Sequence, residues 1–100
     1  MMNKPIVAAN WKMFKTPEES IDFVEKLKKK TLDWDRVNLI LFPPYTSLFE
    51  MGNFLQGNAH IGLGAQNFYW ESEGAYTGEI SIRMLKSCYV DWVIVGHSER

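Results

Sequence analysis

The chain has 100 residues, 46% of them hydrophobic and 23% charged, a balance that suits one small globular core and excludes disordered, collagen-like and disulfide-scaffold classes. Lys and Arg number 11 against 12 Asp and Glu, and the net charge of -1 provides no cationic footprint for nucleic acid or an anionic membrane surface. Cys88 is the single cysteine, no apolar run reaches membrane length and the N-terminus lacks a secretory apolar core, so a soluble cytoplasmic protein is expected.

Residues 5–9 (P-I-V-A-A) form a short apolar run with little alternation, the pattern of a parallel strand buried on both faces. Thr16 is placed as an N-cap, Pro17 at the first helical position and Glu19 three residues after the cap, so a capping box starts a helix there. Ile21, Phe23, Val24 and Leu27 make its apolar stripe. Lys26, Lys28, Lys29 and Lys30 crowd its end, where cations complement the macrodipole and remain solvated.

Residues 37–42 read as a second buried strand, stopped by Pro43-Pro44. A second helix follows, with Tyr45, Leu48, Phe49 and Leu55 on one side and with Gly52 and Asn53 weakening its middle. Residues 60–66 (H-I-G-L-G-A-Q) are a third strand, and its small residues at alternate places require something packed close to the backbone. Residues 67–78 form a loop of aromatic, acidic and glycine residues whose length itself suggests function. Residues 79–87 read as a helix with Ile82 and Leu85 inward, and residues 90–95 as a fourth strand.

This alternation predicts an α/β fold with a parallel sheet and helices on its faces. Strands begin near residues 5, 37, 59 and 90, so one unit takes about 28 residues and eight take about 230, close to a complete β/α barrel. The expectation is therefore one domain, residues 1–100, forming the N-terminal half of a parallel eight-stranded barrel in a longer protein.

Parallel α/β folds bind ligands at the C-terminal ends of their strands. Asn10, Trp11 and Lys12 follow the first strand; Gly96, His97, Ser98, Glu99 and Arg100 follow the fourth. A lysine there offers a point charge to a phosphate or developing oxyanion, and a histidine offers proton transfer near neutral pH. Residue type alone leaves a second reading open, with Lys12 solvated and His97 a hydrogen-bonded core residue. Gly62-Leu-Gly64-Ala-Gln-Asn67 begins like a dinucleotide fingerprint, but Asn67 occupies the third glycine and no helix start follows, so close packing is the better reading. His60, Cys88 and His97 lack a ligand-pair spacing, and no metal site is expected.

Four blocks carry a family resemblance: residues 9–13 (A-N-W-K-M), 64–67 (G-A-Q-N), 74–81 (G-A-Y-T-G-E-I-S) and 93–100 (V-I-V-G-H-S-E-R). Together they resemble triosephosphate isomerase, in that family's order and spacing over nearly the whole chain. The resemblance implies a (β/α)8 TIM barrel and a homodimer without metal or cofactor. It also implies a small phosphorylated triose as substrate, with dihydroxyacetone phosphate and glyceraldehyde 3-phosphate interconverted through an enediol(ate) in glycolysis and gluconeogenesis.

Carried onto this sequence, the resemblance makes Asn10 and Lys12 substrate contacts, with Trp11 packed between them and Lys12 facing phosphate and enediolate charge. His97 becomes the electrophile that polarises the carbonyl as a neutral imidazole, Glu99 a carboxylate beside the lysine, and Ser98 part of the next helix's opening turn. The 67–78 loop matches the family's dimer loop, with Tyr76 and Thr77 against the partner subunit and with Met13 and Gln66 lining the same interface. Phe14 stands where a small polar residue is common, and Tyr89 where a helix-ending glycine is usual. The base at carbon, its lid and most of the phosphate-binding backbone belong to the family's second half, so these residues alone are expected to be inactive. The alternative is a non-catalytic, self-associating or complementing half-barrel module acting through the 67–78 loop.

Overall fold

Strand and helix periods alternate along the chain, and the computed structural model, which describes residues 5–30, 36–58 and 60–96, converts them into seven elements. These are β1 (Ile6–Asn10), α1 (Pro17–Lys28), β2 (Asn38–Phe42), α2 (Tyr45–Leu55), β3 (Ile61–Ala65), α3 (Ile82–Lys86) and β4 (Trp92–Val93). The strands form one parallel sheet in the order β1-β2-β3-β4. Sequential parallel neighbours joined through helices are the arrangement of a half-barrel. No helix among the described residues is long and apolar enough to cross a membrane.

Strand parity sorts the side chains into two layers. Leu41, Leu63 and Ala65 join Val24, Leu48, Met51 and Leu55 in the core between sheet and helices. Ile40 and Phe42 are equally buried but alternate onto the opposite face, where Ile40 is in register with Gly62 and Gly64 with Trp92. A Cβ on Gly64 would run into the Phe42 ring, and one on Gly62 would stand 3.2 Å from the Trp92 indole nitrogen. The small residues of β3 are thus explained by large rings crossing its backbone. Asn10 pairs with Phe42 and alternates with Ala9, which packs on the helix-side core, so Asn10 belongs to the layer opposite the helices.

Helix starts follow local rules. Thr16 caps α1 with Pro17 in the first turn, and the reciprocal bonds of the capping box are both present. The lysines at its end are exposed; Lys26 pairs with Asp22 at 3.1 Å and Lys28 lies over the Phe54 ring. The Ser20 hydroxyl donates to the Thr16 carbonyl and is paired with the Ser47 hydroxyl, Oγ to Oγ 3.1 Å, a satisfied buried contact between α1 and α2.

Several expectations are corrected. β1 is exposed over most of its length, with Ile6 52% and Val7 49% accessible, because among the described residues it pairs with β2 alone. In α2, Phe49 points outward and Met51 and Gly52 are buried instead, since residues 48, 51, 52 and 55 share one helical stripe and 49 lies off it. Gly52 serves contact more than weakness: a Cβ there would fall on the Cys88 carbonyl oxygen. α3 begins only after its Ser81 cap, because Ile80 spends its carbonyl on the Tyr69 amide, and Ile82 is half-exposed while Leu85 is buried. β4 is limited to two residues, although Ile94 still donates to the Ala65 carbonyl.

The turn that follows α3 closes on Tyr89 in the left-handed region, φ 62°. Val90 donates to the Leu85 carbonyl and Tyr89 to that of Lys86, the paired bonds of a Schellman motif with tyrosine where glycine is favoured. The accessible surface, 7148 Å², exceeds by about a fifth the roughly 5,800 Å² of a compact monomer of this mass.

Candidate active site

The polypeptide leaves β1 through a tight turn in which Phe14 N–H donates to the Trp11 carbonyl (3.1 Å). Trp11 is buried and meets Phe23 of α1 edge to face, ring centroids 5.3 Å apart. Lys12 lies in the left-handed region, φ 51°, and so does Lys15, φ 72°. For a residue with a Cβ this conformation costs about 1–2 kcal/mol, and it persists only where the surroundings impose it. Here they do. The Lys12 N–H donates to Asn10 Oδ1 (2.8 Å), and the Lys12 carbonyl accepts from Gln66 Nε2 (2.7 Å). Lys15 extends its ammonium over the Phe23 and Trp11 rings, 5.1 and 5.8 Å from their centroids, within cation–π range.

Gln66 also donates to the Phe42 carbonyl (2.9 Å), which in turn accepts the Trp11 N–H (3.1 Å). The C-terminal ends of β1, β2 and β3 are thereby joined around the exposed Lys12. The turn closes on the capping box, where the Thr16 amide donates to Glu19 (2.9 Å). That bond, with the Thr16 side chain and Lys15 adding to it, holds the Glu19 carboxyl below its ordinary range. A surface groove of about 650 Å³ runs along α1, but Glu18, Asp22, Glu25 and Glu50 line it and give it the wrong sign for a phosphate.

Beyond β3 the 67–78 loop packs on itself. Tyr69 stacks on Trp70 at 4.4 Å and tilts against Tyr76 at 4.6 Å, and Glu73 bonds Arg83 at 2.7 Å. Gly74 and Gly78 take positive φ, at 148° and 89°. Burial pushes the Tyr69 phenol above its ordinary value, and Tyr76, Glu71 and Glu79 add to the shift. Trp70 remains 74% exposed, and Met13 of the first loop 92%.

The family model described as triosephosphate isomerase matches residues 5–100. The chain belongs to the triosephosphate isomerase family. Curated relatives of that name include those of Dictyoglomus turgidum and Caldanaerobacter subterraneus, each 48% identical over 99 residues, and that of Gloeothece citriformis, 51% identical over 100. Each alignment covers 99% of this chain but only 39–41% of the relative, so the chain spans about two fifths of the length of these triosephosphate isomerases.

Of the site residues expected from sequence, Asn10, Trp11, Lys12 and Gln66 are brought together at the ends of adjacent strands. Tyr76 and Thr77 lie on the separate aromatic loop, both exposed. His97, Ser98 and Glu99 lie outside the described residues; they follow Gly96, just past β4, in the sequence. Sequence reading missed the Gln66 bond to Lys12 and the Lys15 contact with two rings. A polar side chain immediately after a small-residue strand was the one signal for the former, and none marked the latter.

Proposed function

We propose that these residues supply the first four strands of a triosephosphate isomerase barrel and one side of its active site. The observation that carries this reading is the strained Lys12, held through both its backbone polar groups at the ligand-binding end of a parallel sheet. Its ammonium serves the phosphate dianion and the negative charge of the enediolate, with Asn10 as a second substrate contact and Trp11 as the buried anchor between them. Family membership supports His97 as the neutral electrophile at the carbonyl oxygen, Glu99 as the carboxylate beside Lys12, and Ser98 as part of the turn that carries them.

The isomerisation interconverts dihydroxyacetone phosphate and glyceraldehyde 3-phosphate. It moves one proton between neighbouring carbons and one between their oxygens, so it needs a base at carbon as well as an electrophile at oxygen. The reading assigns that base, and the remaining phosphate contacts, to sequence beyond these 100 residues and requires no cofactor or metal. A homodimer in the cytoplasm completes it, with the 67–78 loop, Tyr76 and Thr77 foremost, meeting the partner near Met13 and Gln66. Exposed Trp70 and Met13 support this, since aromatic residues and methionine are enriched where subunits meet.

The test is an isomerase assay on the chain alone and on the chain joined in frame to the remainder of the Dictyoglomus turgidum relative. Activity is expected only from the completed barrel. Turnover by the 100 residues alone overturns the assignment of the base, and a folded but inactive completed barrel favours the non-catalytic association module.

A further inference from the structure

We propose that Gln66 is a positioning residue for Lys12, its carboxamide tying the turn after β1 to the ends of β2 and β3 and so keeping the lysine in its left-handed conformation. The role given to Lys12 rests on the isomerase reading; the tie itself does not. The sequence pointed to Gln66 only as an interface residue, yet its amide nitrogen has two hydrogens and two carbonyl partners within the same chain, Lys12 at 2.7 Å and Phe42 at 2.9 Å.

The two bonds on Lys12 do different work. Asn10, two residues away, takes the N–H and restrains the peptide that precedes the Lys12 Cα. Gln66, 54 residues away, takes the carbonyl and restrains the peptide that follows it. With only the first bond, the Lys12 carbonyl is free to swing, so that ψ changes and φ at Lys12 can relax with it toward the ordinary region. The Phe42 carbonyl is a fixed reference for the second bond, because it belongs to a buried strand residue and also accepts the Trp11 N–H. Two carbonyls require a two-hydrogen donor. A glutamate would set its oxygens against both, and a methionine fills the volume with no hydrogen to give.

The test uses the completed barrel with Gln66→Met and Gln66→Glu, read by steady-state kinetics with glyceraldehyde 3-phosphate and by amide hydrogen exchange. Both variants are expected to lower kcat/KM by about tenfold to a hundredfold. Exchange at the Lys12 and Phe14 amides should speed up at least about tenfold while amides within β2 are unchanged. In a Lys12→Met background the Gln66→Met change should alter kcat/KM less than about twofold, because a positioning residue has no effect once its target is gone. An equal loss in both backgrounds, or unchanged exchange at Lys12, overturns the proposal. If neither variant folds, the unaltered barrel decides it: slow exchange of the Gln66 side-chain amide hydrogens supports the tie, and solvent-like exchange refutes it. A wild-type barrel without activity overturns the isomerase reading instead, and the exchange measurements still decide whether Gln66 holds the turn.

Discussion

The loops after β1 and β3 leave the same end of one parallel sheet and are held in opposite ways. The first is short, and its strain at Lys12 is fixed by Asn10, by Gln66 and by a Trp11 bond to the Phe42 carbonyl. The second is long, and Tyr69, Trp70 and Tyr76 pack on one another, with the Tyr69–Ser81 bridge and the Glu73–Arg83 ion pair tying it to α3. A loop pinned by a scaffold presents a charge in one geometry, which is what stabilising a developing anion demands. A self-packed aromatic loop presents area, which is what association demands.

The largest effect that tests this contrast is expected from Lys12→Ala in the completed barrel. Steady-state assays should show kcat/KM reduced by at least about 10²–10³, with little change in the urea midpoint. The paired change Trp70→Ala and Tyr76→Ala should do the reverse: sedimentation should show association weakened by about 2 kcal/mol or more, while the Lys12 amide, read at a protein concentration that keeps the subunits paired, exchanges as before. If loosening the aromatic loop also loosens Lys12, the two regions are not independent and the contrast fails.

Smaller effects sharpen it. Lys12→Gly relieves a left-handed residue and should raise unfolding free energy by about 0.5–1 kcal/mol, measured by urea denaturation, while activity is lost. Tyr89→Gly relieves the same kind of strain at the end of α3 and should give a similar gain with activity retained. That difference would identify the strain at Lys12 as functional and the strain at Tyr89 as incidental. The smallest effect belongs to Glu19, whose folded pKa is depressed. Its charged form contributes stability above the ordinary carboxyl range, and the contribution is lost as pH falls through the lower folded value. The stability difference between wild type and Glu19→Gln should therefore shrink on acidification below about pH 4.5, and a difference independent of pH would exclude the charge as its source.

Local chemistry made much of the fold legible. The capping box at Thr16 and Glu19, the strand stop at Pro43 and the need for close packing over Gly62 and Gly64 all follow from rules that act within a few residues or along one strand, although the rings that meet the two glycines come from β2 and β4. Errors arose where a partner came from elsewhere. Residues 79–81 have a helical pattern, but the Tyr69 amide claims the Ile80 carbonyl and Ser81 becomes the cap. β1 has the composition of a strand buried on both faces, but among the described residues it has a neighbour on one side and is exposed.

The candidate site divides along the same line. Asn10, Trp11 and Lys12 could be named from the sequence, because a parallel α/β pattern tells where strands end and ligands bind there. How Lys12 is held could not, because its carbonyl is gripped from a residue 54 positions away and the reference carbonyl for that grip lies 24 positions from the same side chain. Residue types and spacing determine the order of strands and helices and which groups stand at the sheet's C-terminal end. Only the register of the parallel strands brings Phe42 and Gln66 within hydrogen-bond reach of the turn after β1, and it is that register which fixes the backbone from which the exposed lysine projects.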